Sequence, residues 1–465
     1  MNLPYLWRAC LITTLASVSG TLAGPEQLQL LPPPRATVKD IAPSGGNYTE
    51  PSIAVNPKDP SQVVAVYQGG KSAQGSATAA YSIDGGRTFA IAPGTKPADW
   101  KVAGDVSTAF DSGGHAFLCY LAFDKLGTTS YWAHNAGRNG IFVRRSLDGG
   151  KTWDKEAVAV KSWPTGHETN IQFEDEPRIF ADNGAHSPYT GSLYVGWVEW
   201  QIDKSVMLFA RSTDGGRTWS NPLQISTHPG LPRDDNGSLG GFMLAVEAEG
   251  TIYAIWQDGN SIVLTTSKNG GHTFSEPKPV VTTGPIYFGQ VPGISRVEGF
   301  PQIAVAGGNL YITWSDYTNG DIDVFLSRST DRGNTWSKPI RVNDDAVHDG
   351  RDQFFQWLAV DEANGDIYVQ FYDRRDDLKN LLSKVTLARS TDHGRTFKNY
   401  AWTENAFEGR GMFWGDYTWL VAHAGHVLGV WTEVVAPTTS TEPAGRNKGN
   451  TIIRVGTADF SKGSY

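Results

Sequence analysis

The chain of 465 residues contains 52 glycines and 16 tryptophans, and only 19% of its residues are charged. This composition is typical of a turn-rich all-β protein with aromatic-filled layers, and it excludes a disordered or mainly helical chain. The formal net charge is −8, and no cluster of lysines and arginines occurs. Both observations argue against a nucleic-acid partner, because phosphate binding needs a basic surface.

The N-terminal residues have the pattern of a signal peptide. Arg8 supplies a positive charge, and Ala9 to Val18 form a short apolar run that small residues follow. Cleavage is expected after Gly20 or Ala23, so residues 1–23 are predicted to be a signal peptide and the mature protein to be secreted or periplasmic. The apolar run is too short to span a bilayer comfortably, so no membrane span is expected after its removal.

The rest of the chain is predicted to form a linker and one domain. Residues 24–45 are rich in Pro, Leu and Gln and indicate an extended linker, with a strand near Ala36 that can pair with the end of the chain. Residues 46–465 are predicted to be a single domain, since one repeat covers nearly all of them. Cys119 is the only cysteine after residue 23 and lies in an apolar segment, so a buried thiol is expected and an intramolecular disulfide is excluded.

A motif of the form Ser-x-Asp-x-Gly-x-Thr followed by Trp or Phe recurs six times, with Asn replacing Asp in one copy. The Asp carboxylate can accept hydrogen bonds from the following backbone N–H groups, and Gly permits a left-handed turn. The aromatic residue is expected to enter an apolar layer, so each copy predicts a tight β-hairpin. The copies lie at residues 82–89, 146–153, 212–219, 267–274, 329–336 and 390–397.

Four strand-like segments recur around each copy. The second of them alternates apolar and aromatic residues, as in Leu193-Tyr-Val-Gly-Trp, which indicates a strand. Seven such units can be counted, and the last one, from Asp416, lacks the hairpin motif. Four-stranded sheets repeated around an axis predict an all-β fold, a β-propeller of seven blades. Six or eight blades remain alternatives if a terminal unit is misassigned or if the N-terminal strand completes the last blade.

The motif resembles the Asp-box, or BNR repeat, of the sialidase superfamily, and the resemblance covers roughly residues 50–460. It implies a propeller in which these hairpins lie on the face away from the active site. Lyases, xyloglucan hydrolases, sorting receptors and non-catalytic propellers carry the same repeat, so the resemblance implies the fold more strongly than the function.

The opposite face is therefore where chemistry is expected. Several blades present an acid at the entry to the first strand, so several carboxylates are expected to converge near the axis. Like charges held close need compensation by a cation, by arginine or by raised pKa values. A structural Ca²⁺ is one such cation, and no other cofactor is expected. The acids at these entries are Glu50, Asp105, Glu174, Asp175, Glu176, Asp234, Asp235, Glu298, Asp352 and Asp416.

The resemblance also implies roles. Retaining sialidases bind the sugar carboxylate with arginines, protonate the leaving group with an acid, and attack with a Tyr that a Glu activates. The residues that could form the clamp are Arg178, Arg351 and Arg374, and the acid could be Asp105 or Asp175. The nucleophile could be Tyr417, which lies beside Asp416, with Glu298 or Glu433 as its base. The first blade departs from the sialidase pattern, because it reads Glu50-Pro-Ser-Ile where those enzymes carry an arginine.

Two functions follow as hypotheses. The first is an exported sialidase-like glycoside hydrolase, or a related polysaccharide-active enzyme, that acts on an acidic sugar. The alternative is a non-catalytic extracellular or periplasmic propeller that binds glycan or protein. The sequence does not indicate the oligomeric state.

Overall fold

The computed structural model describes residues 29–461 except 71–75, 94, 96–98, 129–130, 169, 235–236, 285–290, 410 and 436–449. The predicted signal peptide lies outside the described residues, as does Asp235. Among the described residues all regular secondary structure is β-strand. No helix in this part of the chain is long and apolar enough to cross a bilayer.

The strands form seven antiparallel sheets arranged as the blades of a β-propeller. In each of the first six blades, the first strand in the sequence is the innermost one. The first three blades are β2 (Asn47–Val55), β3 (Val63–Gly70), β4 (Ala77–Ser82) and β5 (Ala90–Ile91); β6 (Val102–Phe110), β7 (Ala116–Phe123), β8 (Asn139–Ser146) and β9 (Val158–Trp163); and β10 (Phe173–Ala181), β11 (Leu193–Trp200), β12 (Ser205–Ser212) and β13 (Leu223–Gln224). The next two are β14 (Leu239–Val246), β15 (Ile252–Asp258), β16 (Ser261–Ser267) and β17 (Lys278–Thr282); and β18 (Gln302–Ala306), β19 (Asn309–Asp316), β20 (Asp323–Ser329) and β21 (Ile340–Arg341). The sixth is β22 (Gln353–Val360), β23 (Ile367–Asp373), β24 (Leu382–Ser390) and β25 (Lys398–Ala401), with β26 (Phe407–Glu408) paired to β24.

The seventh blade joins the two ends of the chain. It contains β27 (Trp419–His423), β28 (His426–Val435), β29 (Asn450–Asp459) and, as its outer strand, β1 (Thr37–Asp40). β1 pairs antiparallel with β29, and Arg35 Nη1 lies 2.6 Å from Asp459 Oδ2. The strand expected near Ala36 therefore closes the ring. The prediction of seven four-stranded blades is confirmed, and the six- and eight-blade alternatives are wrong.

The repeated motif forms the turn after the third strand of each of the first six blades. In the turn that follows β12, Ser212 Oγ donates to Asp214 Oδ1 at 2.8 Å and accepts from Gly216 N at 3.0 Å. Thr218 donates to Asp214 through both its N–H, at 3.0 Å, and its hydroxyl, at 2.7 Å. Because the strands run antiparallel, these turns lie at the opposite end of the blades from the entries to the innermost strands.

Aromatic side chains of the second strands fill the spaces between neighbouring blades. The indole rings at equivalent positions are all less than 2% exposed, and these residues are Trp197, Trp256, Trp314 and Trp431. Cys119 lies in β7 and is fully buried, as the sequence predicted, and burial raises the pKa of its thiol.

Candidate functional site

Five innermost strands contain a β-bulge close to their first residues. A bulge bends a strand and re-aims a side chain. One residue in each bulge has a left-handed backbone, and these residues are Glu50 (φ 54°), Asp105 (φ 49°), Glu176 (φ 53°), Gly241 (φ 67°) and Phe355 (φ 51°). This conformation is uncommon for residues other than Gly. It persists where the surrounding structure enforces it, often at functional sites.

The acidic bulges border a cavity of about 730 Å³ on the face opposite the repeated turns. Its carboxyl groups come from blades 1, 2 and 3 and from the segments before blades 4 and 7, and they belong to Glu50, Asp105, Asp175, Glu176, Asp234 and Asp416. Arg296 and several aromatic side chains complete the wall, and the aromatic residues are Phe123, Trp132, Phe173 and Phe413. The cavity thus combines a concentration of carboxyl groups with apolar ring faces.

Three of the cavity carboxyl groups lie close enough to interact electrostatically. Asp105 interacts with Glu50 on one side and with Asp175 on the other. Burial, followed by the charges of Asp105 and Asp416, raises the pKa of Glu50 well above its usual range. Burial and the Asp105 charge likewise raise the pKa of Asp175. These surroundings favour the protonated forms of Glu50 and Asp175.

Arg296 is the cation of the cavity wall. Its Nε donates to Asp416 Oδ1 at 3.0 Å, and its Nη2 contacts the other oxygen of the same carboxylate. Its Nη1 donates to Asp234 Oδ2 at 2.8 Å, and Glu298 Oε1 lies 3.5 Å from Nε. Burial raises the pKa of Asp234 to about 6, although Arg296 acts in the opposite direction. One guanidinium therefore contacts three carboxyl groups, and it pairs with Asp416 through two nitrogens. Burial nevertheless raises the pKa of Asp416, although Arg296 acts in the opposite direction.

Tyr417 and Arg178 lie outside the cavity lining. The Arg178 guanidinium carbon is 3.8 Å from the Tyr417 ring centroid, and both side chains are buried. The Tyr417 hydroxyl donates to the Val106 carbonyl at 3.1 Å, and burial raises its pKa well above the usual range. Of the two bases considered for Tyr417, Glu298 pairs with Arg296, and Glu433 pairs with Arg454 at 2.9 Å. The nucleophile and base expected from the resemblance are thus not assembled as a pair.

Arg351 and Arg374 also lie outside the cavity lining, so the three arginines expected to form the clamp do not meet there. Arg374 is fully buried and donates to Ser383 Oγ at 3.0 Å and to the Pro292 carbonyl at 2.9 Å. Arg351 Nη1 donates to the Arg375 carbonyl at 2.8 Å. The physical reason is that loop carbonyls buried without a strand partner need donors, and these guanidinium groups supply them.

The structure thus brings together part of the site expected from the sequence. Asp105, Asp175 and Asp416 line the cavity. Glu298 is not part of the lining but contacts the lining residue Arg296. Four further residues belong to the same cluster, and they are Glu50, Glu176, Asp234 and Arg296. The repeated acid at the strand entries was a signal for the first three of these. No repeat marks Arg296, whose position depends on a long segment before β18.

One group of carboxylates has the geometry of a ligand set for a hard cation. Glu176, Asp234 and Glu298 each offer an oxygen that lies within 4.8 Å of the oxygens of the other two. Burial raises the pKa of Glu176 to about 8, although the N–H of Gly241 donates to it at 3.0 Å. Carboxylate oxygens without His or Cys suit Ca²⁺, Mg²⁺ or Mn²⁺ rather than softer metals.

Comparison with known proteins identifies the fold. No family model matches the sequence, and no curated protein matches it. Among solved structures, the chain is similar to the phage phi92 endosialidase, with 9% identity, coverage of 92% of this chain and 70% of that chain, and a TM-score of 0.52. It is also similar to an ulvan lyase described as a new family of polysaccharide lyase, with 12% identity, coverage of 88% and 93%, and a TM-score of 0.50. At such identities the likeness establishes the propeller fold alone.

Proposed function

We propose that the protein is an exported glycoside hydrolase whose active site is the carboxyl-lined cavity. The observation that carries the proposal is the buried Glu50, whose pKa is raised well above its usual range, close to Asp416, whose carboxylate is contacted by two nitrogens of Arg296. One protonated and one ionised carboxyl group are what glycoside hydrolysis uses in most enzymes. The export part of the proposal is supported by the signal-like residues 1–23.

The proposed reaction assigns a proton movement to each group. Glu50 gives its proton to the glycosidic oxygen as the bond from that oxygen to the anomeric carbon breaks. A water oxygen forms the new bond to the anomeric carbon, and its proton passes to Asp416. Solvent then carries a proton from Asp416 back to Glu50, so water is consumed and two sugar fragments are released.

The charges of the cavity favour a neutral sugar over the acidic sugar that the resemblance implied. Six carboxyl groups line the wall, and the arginine in the lining already contacts Asp416 and Asp234. A sugar carboxylate would therefore meet repulsion and, among the described lining residues, no guanidinium without carboxylate partners. The ring faces of Trp132 and Phe413 can pack against the apolar face of a neutral sugar.

The fold is compatible with this proposal. The two similar structures are named as an endosialidase and an ulvan lyase, so this propeller can support activity on polysaccharides. The likeness does not extend to residues, and the proposal rests on the cavity of this chain.

The test is product release from a panel of neutral and acidic oligosaccharides by purified protein. We expect Glu50→Gln to lower kcat at least ~100-fold, the range typical of a lost general acid. The matched control is Glu156→Gln, an exposed acid on the face of the repeated turns, which should retain full activity. Saturable binding of glycans by the wild-type protein without any product would contradict hydrolysis and favour the alternative, a binding propeller.

A further inference from the structure

We propose that Glu176, Asp234 and Glu298 bind a calcium ion at the wall of the cavity. The three residues come from consecutive blades: Glu176 from the bulge of β10, Asp234 from the segment before β14, and Glu298 from the segment before β18. They are therefore brought together by the packing of neighbouring blades, and binding there would tie blades 3, 4 and 5 to one another.

The distances between the ligand atoms suit calcium. Ca²⁺ binds carboxylate oxygens at about 2.3–2.6 Å, so two ligands of one ion can be as much as about 5 Å apart. The oxygens of the three carboxylates lie within 4.8 Å of one another, inside this limit. Mg²⁺ requires about 2.0–2.1 Å and near-octahedral geometry, which demands a tighter set. Glu176 and Asp234 line the cavity, so the remaining coordination positions would be open to water or to sugar hydroxyl groups.

A second observation indicates that the protein does not satisfy these carboxylates by itself. Glu298 is only 7% exposed, and its Oε1 receives no hydrogen bond from the described residues. The nearest cationic nitrogen, Arg296 Nε, lies 3.5 Å away and donates instead to Asp416 at 3.0 Å. A buried carboxylate oxygen without a donor is costly, and a cation is the partner that its position accommodates.

The experiment measures binding of CaCl₂ alone, by titration calorimetry and by thermal unfolding, to EDTA-treated full-length protein without any glycan. We expect saturable binding by the wild-type protein and an increase of several degrees in Tm. Glu298→Gln and Asp234→Asn should each weaken the Ca²⁺ affinity at least about tenfold. MgCl₂ titrated in the same way should bind more weakly than CaCl₂.

Glu433→Gln is the matched control. Glu433 is 8% exposed and pairs with Arg454, as Glu298 pairs with Arg296, but it lies in β28 away from the cluster. The control should bind Ca²⁺ like the wild-type protein. The proposal is overturned if the folded wild-type protein shows no Ca²⁺ binding, if the Glu298 and Asp234 variants with native circular dichroism bind as tightly as the control, or if Mg²⁺ binds more tightly than Ca²⁺. None of these readouts depends on glycan hydrolysis, so failure of the metal site and failure of the hydrolase are distinguishable.

Discussion

Glu50 has the surroundings that a proposed acid needs. Its side chain is 2% exposed yet borders the cavity, and its backbone is held at a φ of 54° by the bulge of β2. The groups that face it are Asp105, Asp416 and Arg296, with Arg178 and Tyr417 close enough to interact electrostatically. Two of the three nearest groups are carboxyls, so the balance of charge favours a protonated Glu50.

This balance predicts a pH dependence. The pKa of Glu50 is raised well above its usual value of 4.5, first by burial and then by the two acids. The proposed acid should therefore remain protonated through neutral pH. The alkaline decline of kcat should follow loss of the Glu50 proton, and the acidic decline should follow protonation of Asp416. A kcat profile whose alkaline decline begins already between about pH 4 and pH 5, where an ordinary Glu titrates, would contradict the role.

The same shift has a consequence for stability. A carboxyl group with a raised pKa in the folded state contributes stability that is full below its usual pKa and is lost as the pH rises through the folded-state value. Glu50→Gln removes this titration, so the decline in Tm from acidic to alkaline pH should be shallower in the variant. Parallel Tm curves for the variant and the wild-type protein would show that Glu50 does not titrate in this way.

The sequence predicted the acids of the site better than its arginines. An acid beside the first residues of an apolar strand can occupy few positions in the fold. Asp105, Asp175 and Asp416 could therefore be placed from the repeat alone. Arginine side chains are long, and loop carbonyls compete for them, so Arg351 and Arg374 could not be assigned by residue type. The surroundings of Tyr417 could not be predicted for a similar reason, because a backbone carbonyl accepts its hydroxyl hydrogen.

At the scale of elements, the repeated turn and the bulge have different tasks. The turn closes a hairpin through hydrogen bonds among Ser, Asp, Gly and Thr, all local in sequence, which is why the motif could be interpreted before the structure was known. The bulges have no comparable signature. Glu, Asp, Gly and Phe all occupy the left-handed position, so the conformation is imposed by the packing of the innermost strands rather than by residue type.

The turn after β12 allows its stabilising role to be measured. Burial acts to raise the pKa of Asp214, but the hydrogen bonds from Thr218 and Ser212 outweigh it and lower the pKa to about 2. Asp214→Ala should lower the free energy of unfolding by about 1–2 kcal/mol through loss of these bonds, without changing kcat. Thr213→Ala, at the exposed position of the same turn, should change it by less than about 0.5 kcal/mol. Equal effects of the two substitutions in urea unfolding would show that the carboxylate bonds do not stabilise the turn.

At the scale of the whole molecule, the ring separates two tasks between its faces. One face carries the turns that stabilise the hairpins. The other face carries the cavity, where acids from distant parts of the chain lie close together. Asp416 and Glu50 become neighbours because β1 completes the blade that β27 begins, which places the last blade beside the first. Blade number and closure could be predicted because each unit repeats the same strand pattern. The residues that line the cavity could not be predicted in full, because its wall includes segments of unequal length between blades.

The central claim is that the carboxyl-lined cavity holds the glycan. The most direct measurement is a crystal structure of Glu50→Gln in complex with an oligosaccharide selected by the activity screen. We predict sugar density in the cavity, with a glycosidic oxygen within hydrogen-bonding distance of residue 50 or Asp105 and a ring face against Trp132 or Phe413. Sugar bound on the face of the repeated turns, with the cavity empty of sugar, would contradict the account.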